Sequence, residues 1–191
     1  MRRFALVGVT AIALAACAVA THTKAVASGT PIAATAKVTA VAPPAKSAPA
    51  KVDYTKIKPP ALVNATPKGQ LHNPYKDTQA KIVAQGRKLF LSYGCNGCHG
   101  GGGGGGMCPP LINDVWVYGG DDDTIFRLVT LGSIELQKRG YTRTGMENVV
   151  GPMPPYGGII KNADNLWKIF AWVRSRYDGD PAYKYGGPPS E

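Results

Sequence analysis

Cys95-Asn96-Gly97-Cys98-His99 is the stretch that decides how the rest of this 191-residue chain is interpreted. Two cysteines three residues apart face the same side of a helical turn, where their thiols can add to the two vinyl groups of one porphyrin. The histidine that follows can then supply one axial bond to the iron. The C-x-x-C-H spacing therefore predicts one covalently attached haem c, with Cys95 and Cys98 as thioether anchors and His99 as an axial ligand.

Three other chemistries use closely spaced cysteines. A redox C-x-x-C is expected in a βαβ setting and gives the histidine no role. A zinc site needs two more ligands, for which only Cys17, His22, His72 and Cys108 remain. A structural disulfide between two cysteines this close would be strained. The haem interpretation is favoured because it gives all three residues of the motif a function.

The beginning of the chain has the pattern of an export signal. A positive start, Met1-Arg2-Arg3, precedes an uncharged apolar run that is too short to span a bilayer. Cleavage after Ala27 would make residues 1–27 a signal peptide. The alternative is a lipoprotein signal over residues 1–16, which would leave Cys17 as a lipid-bearing membrane tether. Both alternatives predict export, and the expected location is the periplasm.

Residues 28–74 are rich in Ala, Pro and Lys, and we predict a disordered leader or tether there, because this composition buries little apolar surface. The formal net charge of the chain is +10. Residues 73–191 nevertheless hold thirteen Lys and Arg against eleven Asp and Glu, a net of only +2. The basic excess therefore belongs to the N-terminal region, and no nucleic-acid surface is expected.

Residues 75–177 are predicted to form one all-α domain, followed by a tail over residues 178–191. Gly86 is expected to mark the place where the last helix crosses the first, because a glycine there permits close approach. The apolar periodicity predicts three helices, which cover Asp77–Leu91, Asp121–Leu131 and Ala163–Tyr177.

A run of seven glycines, residues 100–106, follows the haem motif. It lacks the Gly-Lys-Ser/Thr ending of a phosphate-binding loop, so a flexible surface loop is predicted. Beyond it, Pro109 is expected to present its carbonyl oxygen to the Nδ1–H of His99, which would fix the tautomer of the ligand. Leu111 is expected to pack on the porphyrin, and Cys108 to be a small buried residue without a partner.

The second axial ligand of the iron is predicted to come from the segment Gly151-Pro152-Met153-Pro154-Pro155-Tyr156. A thioether sulfur stabilises ferrous iron, and three prolines keep the loop stiff. Met107 lies on the proximal side of the haem, and Met146 lacks the proline frame, so Met153 is preferred. Met146, His72, a lysine or an open position remain as alternatives. Two filled axial positions would leave no place for a substrate, which predicts an electron carrier and not an enzyme.

The order of these features resembles class I cytochromes c over residues 75–177: a helix with an internal glycine, C-x-x-C-H, Pro-x-Leu, a Met-Pro loop and an aromatic terminal helix. The resemblance implies the class I fold, a few short helices wrapped around one haem. At a finer level the chain resembles cytochrome cL. Within that group it is most similar to the cytochrome that serves lanthanide-dependent (Xox-type) methanol dehydrogenase. The finer resemblance lies in four stretches, Cys95–His99, Met107–Tyr118, Asp121–Asp123 and Glu147–Pro155.

This finer resemblance implies a role in methanol utilisation. The cytochrome would accept electrons from a periplasmic, PQQ-dependent methanol or alcohol dehydrogenase and pass them to a downstream cytochrome c or a terminal oxidase. The long leader and the lipobox-like sequence before Cys17 depart from the pattern. The alternatives are the cytochrome subunit of another periplasmic oxidoreductase and a haem peroxidase-like enzyme.

Overall fold

The computed structural model describes residues 52–113 and 116–186. These residues form helices and contain no strand, which confirms the all-α prediction for this part of the chain. The signal peptide, Cys17 and the leader as far as residue 51 lie outside the described residues. The helices are α1 (Pro59–Ala65), α2 (Ala80–Ser92), α3 (Asn96–His99), α4 (Asp122–Leu131), α5 (Ser133–Lys138) and α6 (Ala163–Ser175).

Helices α2 and α6 cross at Gly86, as the sequence predicted. A Cβ atom added there would lie 2.0 Å from the carbonyl oxygen of Lys168 and 2.9 Å from Cβ of Trp172. Only glycine allows the two backbones to approach this closely. One turn further on, the ring of Phe90 packs against the ring of Trp172 with 4.4 Å between centroids.

Helix α6 is the central element of the core, and ten of its thirteen residues are buried. The side chain of Asn162 begins the helix by accepting a hydrogen bond from Asn165 N–H, at 3.0 Å. Trp167, fully buried, packs against Phe126 of α4 with 4.2 Å between ring centroids. Helix α6 therefore has α2 and α4 as its packing partners.

Helix α4 begins at the acidic triplet, where the side chain of Asp121 accepts a hydrogen bond from Thr124 N–H at 2.8 Å. Acidic residues in a first turn also favour the helix dipole. The helix ends at Gly132, whose φ of +76° is in the left-handed region. The short helix α5 starts directly after it and was not predicted.

The folded region begins earlier than the sequence predicted. The expectation of a disordered leader as far as residue 74 is wrong for residues 52–74, because they contain α1 and pack on the domain. Leu62, Val63 and Leu71 are all buried. Their apolar side chains are too few and too widely spaced to stand out in an Ala/Pro/Lys-rich composition.

A buried guanidinium holds this N-terminal segment in place. Arg127 of α4 donates hydrogen bonds to the carbonyl oxygens of Val63, Thr66 and Pro67, at 3.1, 2.7 and 2.9 Å. Its Nε pairs with Asp123 at 2.8 Å, so the buried charge is compensated. The segment is therefore attached through its backbone groups as well as through its apolar side chains.

The described part of the C-terminal tail lies against the domain. Lys184 forms an ion pair with Asp77, and the hydroxyl of Tyr185 donates to the same carboxylate at 3.0 Å. No helix among the described residues is long and apolar enough to cross a bilayer.

Candidate functional site

An apolar cavity of about 420 Å³ lies beside helix α6. Its volume falls within the roughly 300–1,000 Å³ that is usual for cofactor sites. The walls come from α2, α4, α6, the C-x-x-C-H turn and the methionine loop. The site residues predicted from the sequence all line it: Cys95, Cys98, His99, Pro109, Leu111 and Met153.

The C-x-x-C-H motif folds into one helical turn directly after α2. Gly94, with φ of +75°, allows the chain to turn, and Cys95 N–H donates to the carbonyl oxygen of Phe90 at 3.1 Å. Both Cys95 and Cys98 line the cavity and are half-buried. Burial raises the pKa of the Cys95 thiol to about 11, so this thiol is protonated at neutral pH. The turn therefore places both cysteines in the wall of one cavity, as attachment to one porphyrin requires.

The imidazole of His99 is oriented by the segment that follows the glycine run. Its Nδ1 lies 2.9 Å from the carbonyl oxygen of Pro109, the contact that the sequence predicted. A carbonyl oxygen can only accept, so Nδ1 carries the hydrogen and Nε2 keeps its lone pair. Burial lowers the pKa of His99, and the contact with Pro109 offsets this only in part. The neutral imidazole therefore has one nitrogen available to a metal.

The glycine run folds back onto the haem motif. Gly105 N–H donates to the carbonyl oxygen of His99 at 3.0 Å. A Cβ atom at Gly106 would lie 2.9 Å from the carbonyl oxygen of Cys98. The prediction of a surface loop agrees with the exposure of Gly104 and Gly106, but the expected flexibility is not what the second half of residues 100–106 shows. There the absence of side chains allows the backbone to lie against the turn.

Cys108 lies closer to the motif than the sequence indicated. Its N–H donates to the carbonyl oxygen of Cys98 at 3.1 Å, and its side chain lines the cavity. Burial and a hydrogen bond with the Cys98 thiol raise the pKa of the Cys108 thiol. Cys98 and Cys108 are ten residues apart, and no known motif with this spacing predicts a contact between them.

The methionine loop is held through its backbone. Met153 N–H donates to Ser133 Oγ, and Ser133 N–H donates to Met153 O, each at 3.0 Å. Tyr156 N–H donates to the carbonyl oxygen of Val129 at 2.9 Å. A Cβ atom at Gly132 would lie 2.8 Å from Met153 O, so glycine is required at the junction of α4 and α5. The roles of Gly132 and Ser133 in holding the methionine loop were not predicted, because a Gly-Ser pair at a helix end is the only signal of them in the sequence.

The other residues considered as axial ligands do not line the cavity. Met146 is 96% exposed and Met107 is 59% exposed. His72 is exposed as well. Among the described residues, Met153 is the one methionine and His99 the one histidine in the cavity wall. An imidazole nitrogen, a thioether sulfur and two thiols around an apolar cavity are donors that fit a covalently held haem.

A comparison with protein-family models matches residues 83–176 to cytochrome c. Residues 83–176 form a cytochrome c domain. Its fold is that of class I cytochromes c, its cofactor is covalently attached haem c, and its role is that of an electron carrier. Helix α1 and the residues up to Ile82 precede the matched region.

Two solved structures are similar to parts of this chain. Cytochrome cL from Hyphomicrobium denitrificans is 28% identical over 54% of this chain, with a TM-score of 0.40, and the chain spans 52% of that protein's length. Cytochrome cL from the marine methylotrophic bacterium Methylophaga aminisulfidivorans is 24% identical over 62% of this chain and 78% of its own, with a TM-score of 0.43. No curated protein matches the chain.

Proposed function

We propose that this protein is a monohaem electron carrier in which Cys95 and Cys98 are bonded to haem c and His99 and Met153 bind its iron. The bound haem supplies a one-electron ferric/ferrous couple. One observation carries the proposal. An imidazole with a free nitrogen and a methionine held at both of its backbone groups line the same cavity as the two motif cysteines.

Each of these residues has a defined task in electron transfer. The hydrogen bond from His99 to the carbonyl oxygen of Pro109 holds the ring in place and makes the ligand more basic. The thioether of Met153 favours the ferrous state, and the contacts with Ser133 keep it in place in both oxidation states. Leu111 and the other apolar side chains exclude water. His99 and Met153 would both hold the iron and would leave no place for a substrate there, so we propose an electron carrier and not an enzyme.

Electrons need a short path to the surface, and the cavity reaches it at Ile134 and Val149. Both side chains line the cavity, and they are 56% and 39% exposed. An exposed apolar rim suits a partner that docks briefly through a small interface, below about 1,200 Å² in total. We assign the docking surface of the electron donor to this rim.

The proposed donor is a PQQ-dependent methanol or alcohol dehydrogenase of the lanthanide type, and the proposed acceptor is a downstream cytochrome c or a terminal oxidase. The support is the similarity of residues 107–118, 121–123 and 147–155 to cytochrome cL. The N-terminal sequence supports export to the periplasm, with cleavage of residues 1–27 or with a lipid tether at Cys17. Intact-mass measurement of the exported protein distinguishes the cleaved form from the lipid-modified form.

The axial ligand is tested by Met153→Ala. We expect loss of the weak far-red absorbance band of methionine-ligated ferric haem, a lower reduction potential and new binding of carbon monoxide to the reduced protein. Met146→Ala is the matched control, because that methionine is 96% exposed, and it should keep all three properties. Wild-type protein without the far-red band would contradict methionine ligation.

The donor is tested by mixing the oxidised holoprotein with purified lanthanide-type methanol dehydrogenase and methanol in a stopped-flow instrument. Rapid haem reduction that depends on methanol is expected. No reduction, with the far-red band intact, would remove the dehydrogenase partner and favour the subunit of another oxidoreductase. Peroxide turnover by wild type would instead favour the peroxidase-like enzyme.

A further inference from the structure

The polar side chains of the cavity wall gather where residues 143–147 pass alongside residues 116–118. The N–H groups of Thr144 and Gly145 both donate to the carbonyl oxygen of Val117, at 2.8 and 3.1 Å, and this fixes the segment. Four polar side chains line the cavity here: Tyr118, Gln137, Arg143 and Glu147. The rest of the wall is mainly hydrocarbon, so a cofactor with one charged edge would place that edge at this position.

Arg143 is the one cation in the cavity wall among the described residues. Its Nη2 donates a hydrogen bond to the backbone carbonyl oxygen of Glu147. A carbonyl oxygen carries no net charge, so this contact orients the guanidinium without neutralising it. The remaining N–H groups form a planar fork that suits a carboxylate.

The neighbouring acceptors are not satisfied by the protein. Glu147 Oε1 accepts a hydrogen bond from Asn113 Nδ2, but Glu147 Oε2 and Asn113 Oδ1 are buried without any donor. Buried acceptors without donors are costly. A haem c brings two more carboxylates, its propionates, to the polar edge of the cavity. Among the described residues, Arg143 is then the one cation at this edge that can compensate several negative groups.

We propose that Arg143 binds a haem propionate, and that Arg143 and Glu147 shift the reduction potential of the haem in opposite directions. Reduction adds an electron, so a nearby guanidinium favours the reduced state and a nearby carboxylate favours the oxidised state. This inference rests on the haem c cofactor of the proposed function. It does not depend on iron ligation by Met153 or on the proposed dehydrogenase.

The test is a spectroelectrochemical titration of purified holoprotein, without a partner enzyme, at one neutral pH. Arg143→Gln is expected to lower the equilibrium constant for haem reduction about two- to seventeenfold. Coulomb's law gives this range for one charge at an assumed separation of about 10 Å and a dielectric constant of about 80 to 20. Glu147→Gln is expected to raise it. Arg143→Lys keeps the charge and should lie close to wild type.

Arg139→Gln is the matched control for Arg143→Gln. It removes the same charge four residues away, but Arg139 pairs with Glu135 at 3.0 Å and does not line the cavity. Resonance Raman bands of the propionate groups should shift in the Arg143 variant and not in this control. The proposal is overturned if the two variants have the same potential, or if Arg143→Gln and Glu147→Gln move it in the same direction.

Haem loading of each variant is measured by intact mass and by Soret absorbance. Should Arg143→Gln fail to hold haem, the potential of Glu147→Gln and the propionate Raman bands of Arg143→Lys decide the outcome. A wild-type potential in the first variant, or unshifted propionate bands in the second, which lacks the planar fork, would overturn the proposal. A negative stopped-flow result with methanol dehydrogenase would leave all of these measurements unchanged, so the two proposals fail separately.

Discussion

Gly86→Ala tests the helix crossing that closes the core over the cavity. In a helix without neighbours, this change stabilises by about 1 kcal/mol, because alanine is the better helix former. Here the new Cβ would lie 2.0 Å from the carbonyl oxygen of Lys168, whereas ordinary contact begins at 3.4 Å. The axes of α2 and α6 must therefore separate by about 1.4 Å along this direction. The obstructing atom belongs to the backbone, so no side-chain rotation can relieve the clash.

Overpacking of a core costs about 1–3 kcal/mol, and a rigid backbone contact belongs at the upper end of this range. After the gain in helix propensity, we expect a net loss of about 2 kcal/mol and a melting temperature lower by about 6–10 °C. Guanidinium unfolding of the purified holoprotein, followed by far-ultraviolet circular dichroism, measures the loss. Gly158→Ala is the control, because a Cβ there meets nothing within 4 Å. A Gly86→Ala variant as stable as wild type would refute the close crossing.

Three further predictions concern the rim, the glycine run and a buried carboxylate. Ile134→Lys should slow haem reduction by the dehydrogenase at least severalfold and leave the absorbance spectrum unchanged. Ile159→Lys is the control, because Ile159 is 61% exposed and lies outside the cavity wall, and it should not slow the reaction. Equal rates in the two variants would show that the rim is not part of the docking surface. Gly106→Ala should lower the yield of haem-loaded protein, because its Cβ would lie 2.9 Å from a backbone oxygen of the haem motif. Gly102→Ala is the control and should keep the wild-type yield, because a Cβ there meets nothing within 4 Å. Equal yields would argue against the packing of the glycine run on the motif. Burial by itself would raise the pKa of Asp123, but the hydrogen bonds that its carboxylate accepts lower the pKa below its ordinary value. The ionised carboxylate therefore stabilises the fold above the unfolded-state pKa of about 3.9. This stabilisation is lost as the pH falls through the lower pKa of the folded state. The difference in unfolding free energy between wild type and Asp123→Asn should therefore shrink below about pH 4, and a constant difference in acid would contradict the assignment.

The cofactor and the order of the main helices could be predicted because they depend on residues close together in the chain. Cys95, Cys98 and His99 lie within one helical turn, so their spacing alone specifies the geometry of attachment. The helix around Gly86 is visible in its apolar periodicity. An interior glycine in such a helix is costly, which indicated a close neighbour, although not which residue it would meet.

Other features could not be predicted, because each depends on a contact between distant residues. Arg127 binds backbone oxygens about 60 residues earlier, and this contact brings an apparently disordered segment into the fold. Ser133 holds Met153 from twenty residues away. Composition could not place the exposed side chain of Arg143 beside the cavity either, since an arginine there and an arginine elsewhere on the surface are the same letter.

The sequence by itself determined that the cofactor is covalently attached haem c and that the chain around it is helical, and it predicted which residues attach the haem. These properties follow from short-range spacing, which the covalent chain imposes before any tertiary contact forms. Only the tertiary structure decided where the folded region begins, how the glycine run packs and which side chains surround the cofactor. A buried backbone carbonyl needs a hydrogen-bond donor, and a buried charge needs a group that compensates it. The local sequence does not show which distant residue supplies that group.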